Sequence, residues 1–165
     1  MKNQKLPFSQ ALSVGALAGM RATAAPLIVS HILSQSHSYE LEDSPLDFMQ
    51  SKTTAAIFKF IALGEIVMDK LPSTPDRIKT SAVGGRIMSG ALAGAALYKA
   101  HGGSIAAGAL VGAAAAYASS FASFFLRKAV VDKCKIYDPI IGAVEDAIVV
   151  GLGVELCRMK EGSTI

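Results

Sequence analysis

Arg21, Glu65, Arg86, Glu145 and Asp146 each interrupt a long apolar stretch of this 165-residue chain, and Asp69 follows Glu65 by one helical turn. An ion held alone in hydrocarbon costs about 2.5–3.5 kcal/mol even on insertion scales, so these residues are expected to meet one another. Glu65 and Asp69, four apart, share a helical face, and like charges held there favour uptake of a proton unless a cation intervenes. Adjacent Glu145 and Asp146 point about 100° apart, so both are sheltered only where their helix is enclosed or lines water. Arg21 and Arg86 supply the cations, either neutralising carboxylates or engaging an anionic group of a solute. Thr23, Ser81 and Ser89 add neutral hydrogen-bonding groups. The six ionisable residues form the candidate substrate- or ion-binding set. The competing reading is a fully paired structural cluster without function.

The elements that must position them are helices. The chain is 52% hydrophobic and 18% charged, with mean hydropathy +0.43, against about a quarter charged in soluble domains. A run of 25 residues from Gly102 to Leu126 carries no charge, and about 20 apolar residues cross a bilayer. Leu6–Leu33 contains only Arg21, and Thr80–Tyr98 only Arg86. Two weaker segments contain Lys59 with Glu65, and Glu145, Asp146 with Glu155. The pattern predicts a single all-α domain over residues 1–165, a polytopic membrane bundle with transmembrane helices near 6–34, 53–71, 81–99, 103–127 and 138–158. Four spans are the alternative count.

An N-terminus in the cytoplasm places Lys2, Lys5, Lys70, Arg77, Lys79, Arg127, Lys128, Lys133 and Lys135 inside and only Lys52, Lys99, Arg158 and Lys160 outside. Nine against four favours that orientation. The acidic segment Gln35–Gln50 is then external. On this reading Glu65, Glu145 and Arg86 lie in the inner half of the membrane, with Arg21 deeper. Cleavage after Ala22-Thr23-Ala24 would make the first segment a signal peptide, but a charge at Arg21 argues against it.

Glycine organises the helices. Gly15-Ala-Leu-Ala-Gly19 recurs as Gly90-Ala-Leu-Ala-Gly94 and nearly as Gly108-Ala-Leu-Val-Gly112; each pair lies four apart on one face, where small residues let backbones approach. Their recurrence also suggests an inverted repeat, an arrangement of transporters with sites at the repeat interface. A homodimer using a remaining glycine face would shelter polar groups. Pro26, five residues after Arg21, should kink the first helix and free the carbonyl four residues earlier.

No GxSxG elbow, HExxH helix, CxxC pair or GxxxxGK[ST] loop is present, so nothing recommends an enzyme, a metal or a cofactor. Cys134 and Cys157 fall on opposite sides, implying no disulfide. His31, His37 and His101 do not cluster, and nothing directs the chain to nucleic acid.

The order Gly19-Met-Arg21 with Pro26, Glu65 with Asp69-Lys70-Leu-Pro72, Pro75 and Arg77, then Gly85-Arg86 before Gly90-Ala-Leu-Ala-Gly94 resembles a bacterial integral membrane family known as a domain of unknown function (four-one-two-six). The likeness runs from about Ala11 to Leu156. It implies a polytopic inner-membrane protein and assigns no role to any residue.

Three functions follow as expectations. The first is a channel or transporter for a small polar or ionic solute, with Glu65 or Glu145 carrying a proton. The others are a structural membrane protein whose ion pairs fix helix register, and a lipid-binding protein using Arg127, Lys128, Lys133 and Lys135 against anionic headgroups.

Overall fold

A computed structural model describes residues 5–68, 80–134, 144 and 147–156. The described residues are all-α: α1 (Lys5–Met20), α2 (Ala24–Gln35), the short α3 (Tyr39–Glu42), a 3-10 turn (Asp47–Gln50), α4 (Lys52–Met68), α5 (Thr80–Ala100), α6 (Ile105–Cys134) and α7 (Ala147–Leu156).

The glycine repeats form the central seam. A Cβ added at Gly15 would lie 2.5 Å from the Gly112 carbonyl oxygen, one at Gly90 2.6 Å from the same oxygen, and one at Gly94 2.3 Å from that of Gly108. Glycine is required here because α1, α5 and α6 touch backbone to backbone. The register fixes direction: Gly15 sits over Gly112 and Gly19 over Ala116–Ser120, so α1 runs parallel to α6, whereas Gly90 meets Gly112 and Gly94 meets Gly108, so α5 is antiparallel to both.

The segment expected as one span over 6–34 is two helices that fold back on each other. Ala22 lies against Ser89 of α5, yet Ser38, just past α2, donates a hydrogen bond of 2.8 Å to the carbonyl of Ala100 at the far end of α5. Ile32 lies beside Gln10, Val14, Leu97 and His101 around a small crevice. α2 therefore ascends alongside α5 while α1 descends, and Arg21–Thr23 form the tip of a helical hairpin. Its arms bury Val14, Leu17 and Ala18 against Ala25, Val29 and Leu33, the spacing of an amphipathic interface.

This reversal corrects the expected topology. The 16 residues of α1 and 12 of α2 span only about 24 and 18 Å at about 1.5 Å per residue, so neither matches a hydrocarbon core about 30 Å thick. The N-terminal end of α1 and the connection after α2 lie at the same end of the bundle. The nine-to-four count assumes a single crossing in the first segment and does not carry over to a hairpin.

The remaining spans fare differently. α4 and α5 occupy the segments expected near 53–71 and 81–99, and α6 extends past 127 to Cys134. Of the segment near 138–158, the described helix is Ala147–Leu156. Among the described residues one helix, Ile105–Val130 within α6, is long and apolar enough to cross a membrane. Phe60 on α4 is 76% exposed, and Leu63, Leu110, Leu126 and Val150 also face outward.

The acidic segment expected as an external loop is a folded cap. Leu41 and Met49 are fully buried, and Gln50 ties the segment together by accepting from the Ser38 amide at 2.6 Å and donating to Asp47 at 3.0 Å.

Candidate functional site

The polar centre of the molecule is the hairpin tip. The last helical bond of α1 runs from the Arg21 amide to Leu17 at 2.9 Å, and α2 opens with Ala24 donating to Arg21 at 3.1 Å and Leu27 donating to Thr23 at 3.2 Å. A break of this kind leaves terminal amides and carbonyls to be satisfied from elsewhere. Pro26 adds to the need, because it has no amide to offer Ala22 four residues before it.

Side chains from three other helices meet the requirement. The Ser89 hydroxyl of α5 donates to the Ala22 carbonyl, the group that proline was expected to free. On α6, the Ser120 hydroxyl lies 3.1 Å from the Gly19 carbonyl and 2.7 Å from its own Ala116 carbonyl, and Ser119 donates to Ala16 at 2.8 Å. On α4, one oxygen of Glu65 accepts the Thr23 amide at 3.3 Å and the Thr23 hydroxyl as well. A carboxylate at the first turn of α2 also complements the helix dipole.

Of the six candidate residues, the structure brings Arg21 and Glu65 to this tip. Arg21 is only 9% exposed and Glu65 is half-buried. Both lie at one level, which corrects the expectation that Arg21 sits deeper: the reversal stops Arg21 where α4 is ending. Arg86, half-buried, is one turn before Ser89 on α5, so it lies close to the face that meets the tip. Neither Arg21 nor Arg86 lacks an interaction partner. Asp69, Glu145 and Asp146 fall outside the described residues. Of the neutral groups, Thr23 and Ser89 join the site. Ser119 and Ser120 were not foreseen, because a serine in an alanine-rich helix looks like any other small residue.

Among the described residues nothing lies within 4 Å of a Cβ placed at Gly64, Gly84 or Gly85, the neighbours of Glu65 and Arg86, and Met88 is 71% exposed. These glycines, unlike those of the seam, pack against no described atom. Among the described residues no group of three or more His, Cys, Asp or Glu is placed to hold a metal ion.

The arrangement gathers a carboxylate, three hydroxyls and a break in the helical backbone, with the guanidiniums of Arg21 and Arg86 nearby. The chain matches the family described as Domain of unknown function (DUF4126) over residues 9–156 and belongs to it. The match includes the acidic cap. No curated protein and no solved structure matches the chain.

Proposed function

From membership in that family, whose description assigns no activity, we propose that the protein is a small multi-pass channel or transporter for a polar or ionic solute, with Glu65 as its proton-carrying group. The bacterial inner membrane, which the family resemblance implies, is the proposed setting. The observation that carries this reading is the reversal at Arg21–Thr23. It lies beside Ser89, 11 residues from the Ala100 end of the 21-residue α5, roughly 16 Å at about 1.5 Å per residue.

Non-helical backbone at membrane depth is tolerated where it is enclosed by protein or lines a water-filled cavity, and transporters place substrate sites at such breaks. The outward apolar residues of α4, α6 and α7 support a lipid-facing exterior. Among the described residues the open sides of Gly64 and Gly85 support room for water beside Glu65 and Arg86.

The test is flux into liposomes carrying the purified protein and loaded with a pH-sensitive dye, driven by a potassium chloride gradient. The expected result is a pH-dependent flux that Glu65→Gln abolishes while the variant stays folded. A folded Glu65→Gln protein with undiminished flux would overturn the role of Glu65. One observation favours the structural reading instead: the tip carbonyls of Gly19 and Ala22 and the Thr23 amide all have protein partners. In that case no solute gradient is dissipated and Glu65→Gln changes stability alone.

A further inference from the structure

Resting on the membrane setting proposed above but not on transport, we propose that the outward face of α4 binds one phospholipid with a zwitterionic, amine-bearing headgroup, its phosphate held between Lys52 and Lys59 and its amine beside the acidic cap. α4 packs on α2, with Ala55 and Ala62 buried. Lys52, Ala56, Lys59 and Leu63 are all exposed, and their intervals of four, three and four residues keep them in one stripe along the helix.

Lys59 is the charge that asks for a partner. It stands seven residues into α4, roughly 10 Å below Lys52 at about 1.5 Å per residue, and its neighbours Ile57, Phe60 and Ile61 face outward. Among the described residues neither lysine has a carboxylate partner. An ammonium left at that depth in hydrocarbon is costly, and a lysine relieves the cost by running its stem along apolar surface toward the headgroups. Helical side chains lean toward the N-terminus of their own helix, here the Lys52 end. Lys59 thus rises over Ala56, whose methyl leaves the helix surface open, and a phosphate above Ala56 meets both ammoniums. An acyl chain then descends over Leu63 and Phe60.

The cap supplies the other half of the headgroup site. Tyr39 within it is 83% exposed, and tyrosines gather at headgroup level. The 3-10 turn, joined to α4 through Ser51, carries the exposed Asp47, and the exposed Asp43 lies just before it. From Lys59 outward the charges therefore run cation, cation, then anions. That order matches a phosphate with an amine beyond it, whereas a headgroup bearing only negative charge would meet the carboxylates unfavourably.

Native mass spectrometry of the detergent-purified protein, titrated with phosphatidylethanolamine, phosphatidylglycerol or diacylglycerol, tests the site. One phosphatidylethanolamine per chain should be retained, phosphatidylglycerol should bind more weakly, and diacylglycerol, with the same chains and no phosphate, should be lost. Lys52→Gln combined with Lys59→Gln should weaken phosphatidylethanolamine binding about tenfold, the scale of two lysines beside a headgroup. The corresponding pair of arginine substitutions should retain it, and Asp43→Asn with Asp47→Asn should narrow the preference over phosphatidylglycerol. Both lysines are exposed, so these variants keep the packing of α4 on α2, which circular dichroism checks. Undiminished binding by the double glutamine variant overturns the proposal, as does tighter binding of phosphatidylglycerol. Lipid retained without regard to the lysines keeps the membrane setting and removes the site, whereas a protein that stays dissolved without detergent and takes up no lipid removes both.

Discussion

Gly112→Ala should be among the most damaging single-methyl additions in the molecule. Its new Cβ would sit 2.0 Å from the Gly90 carbonyl oxygen, so reaching an ordinary contact of 3.4 Å requires 1.4 Å of separation between α5 and α6. Neither side can yield locally, because the obstacle is helix backbone, and Gly15 of α1 packs over the same position. Overpacking of this kind costs about 3 kcal/mol, at the upper end of its range, while exchanging a helical glycine for alanine returns about 1 kcal/mol. The net loss is about 2 kcal/mol. Gly85→Ala supplies the internal control. It meets nothing within 4 Å and should gain about 1 kcal/mol from the same propensity. The two variants should therefore differ by about 3 kcal/mol, or about two decades in the folding equilibrium. Reversible unfolding in mixed detergent micelles, followed by circular dichroism, measures the difference. Variants that agree within about 0.5 kcal/mol, the ordinary scatter of surface substitutions, would show that the seam does not hold these three helices together.

The hairpin makes a prediction that a single first span cannot share. In protein reconstituted with Cys134 and Cys157 replaced by serine, cysteines introduced at the exposed Ser9 and Asp43 should react with a membrane-impermeant maleimide from one side; labelling from opposite sides would refute the reversal. Ser120→Ala should destabilise by about 1–2 kcal/mol because a buried carbonyl loses its donor, whereas Ser123→Ala, whose hydroxyl reaches only the Ser120 carbonyl on its own helix, should change little. Equal effects in an unfolding titration would mean that the tip does not depend on α6.

Much of this arrangement was legible from residue types. Glycines four apart announce a helix face that something must approach closely, and Gly15, Gly19, Gly90, Gly94, Gly108 and Gly112 all lie in one seam. Pro26 announced a carbonyl in need of a donor, and Ser89 fills the need at Ala22. Glu65 lies at the turn that follows Arg21, where it accepts from Thr23. The reversal itself left no local mark. Arg21-Ala22-Thr23 contains no glycine, asparagine or proline, and Thr23 keeps right-handed helical angles, φ −82° and ψ −14°. What holds the turn is Glu65, Ser89 and Ser120, residues 42 to 101 positions away in sequence. A periodicity argument confined to residues 6–34 has no access to them. The cap was obscured for a related reason: its few apolar residues are scattered among polar ones without a helical or strand period, and only the burial of Leu41 and Met49 shows that the segment is folded.

The seat of α1 also fixes an order of events during synthesis. Ala16 bonds to a serine 103 residues later, and Gly19 to one 101 residues later. α1 therefore cannot reach its final neighbours until about 100 further residues have been translated. Until α5 and α6 offer their glycine faces, that of α1 has no backbone to pack against. Among the described helices α1 is thus seated late, and damage to the α5–α6 pair should strand it.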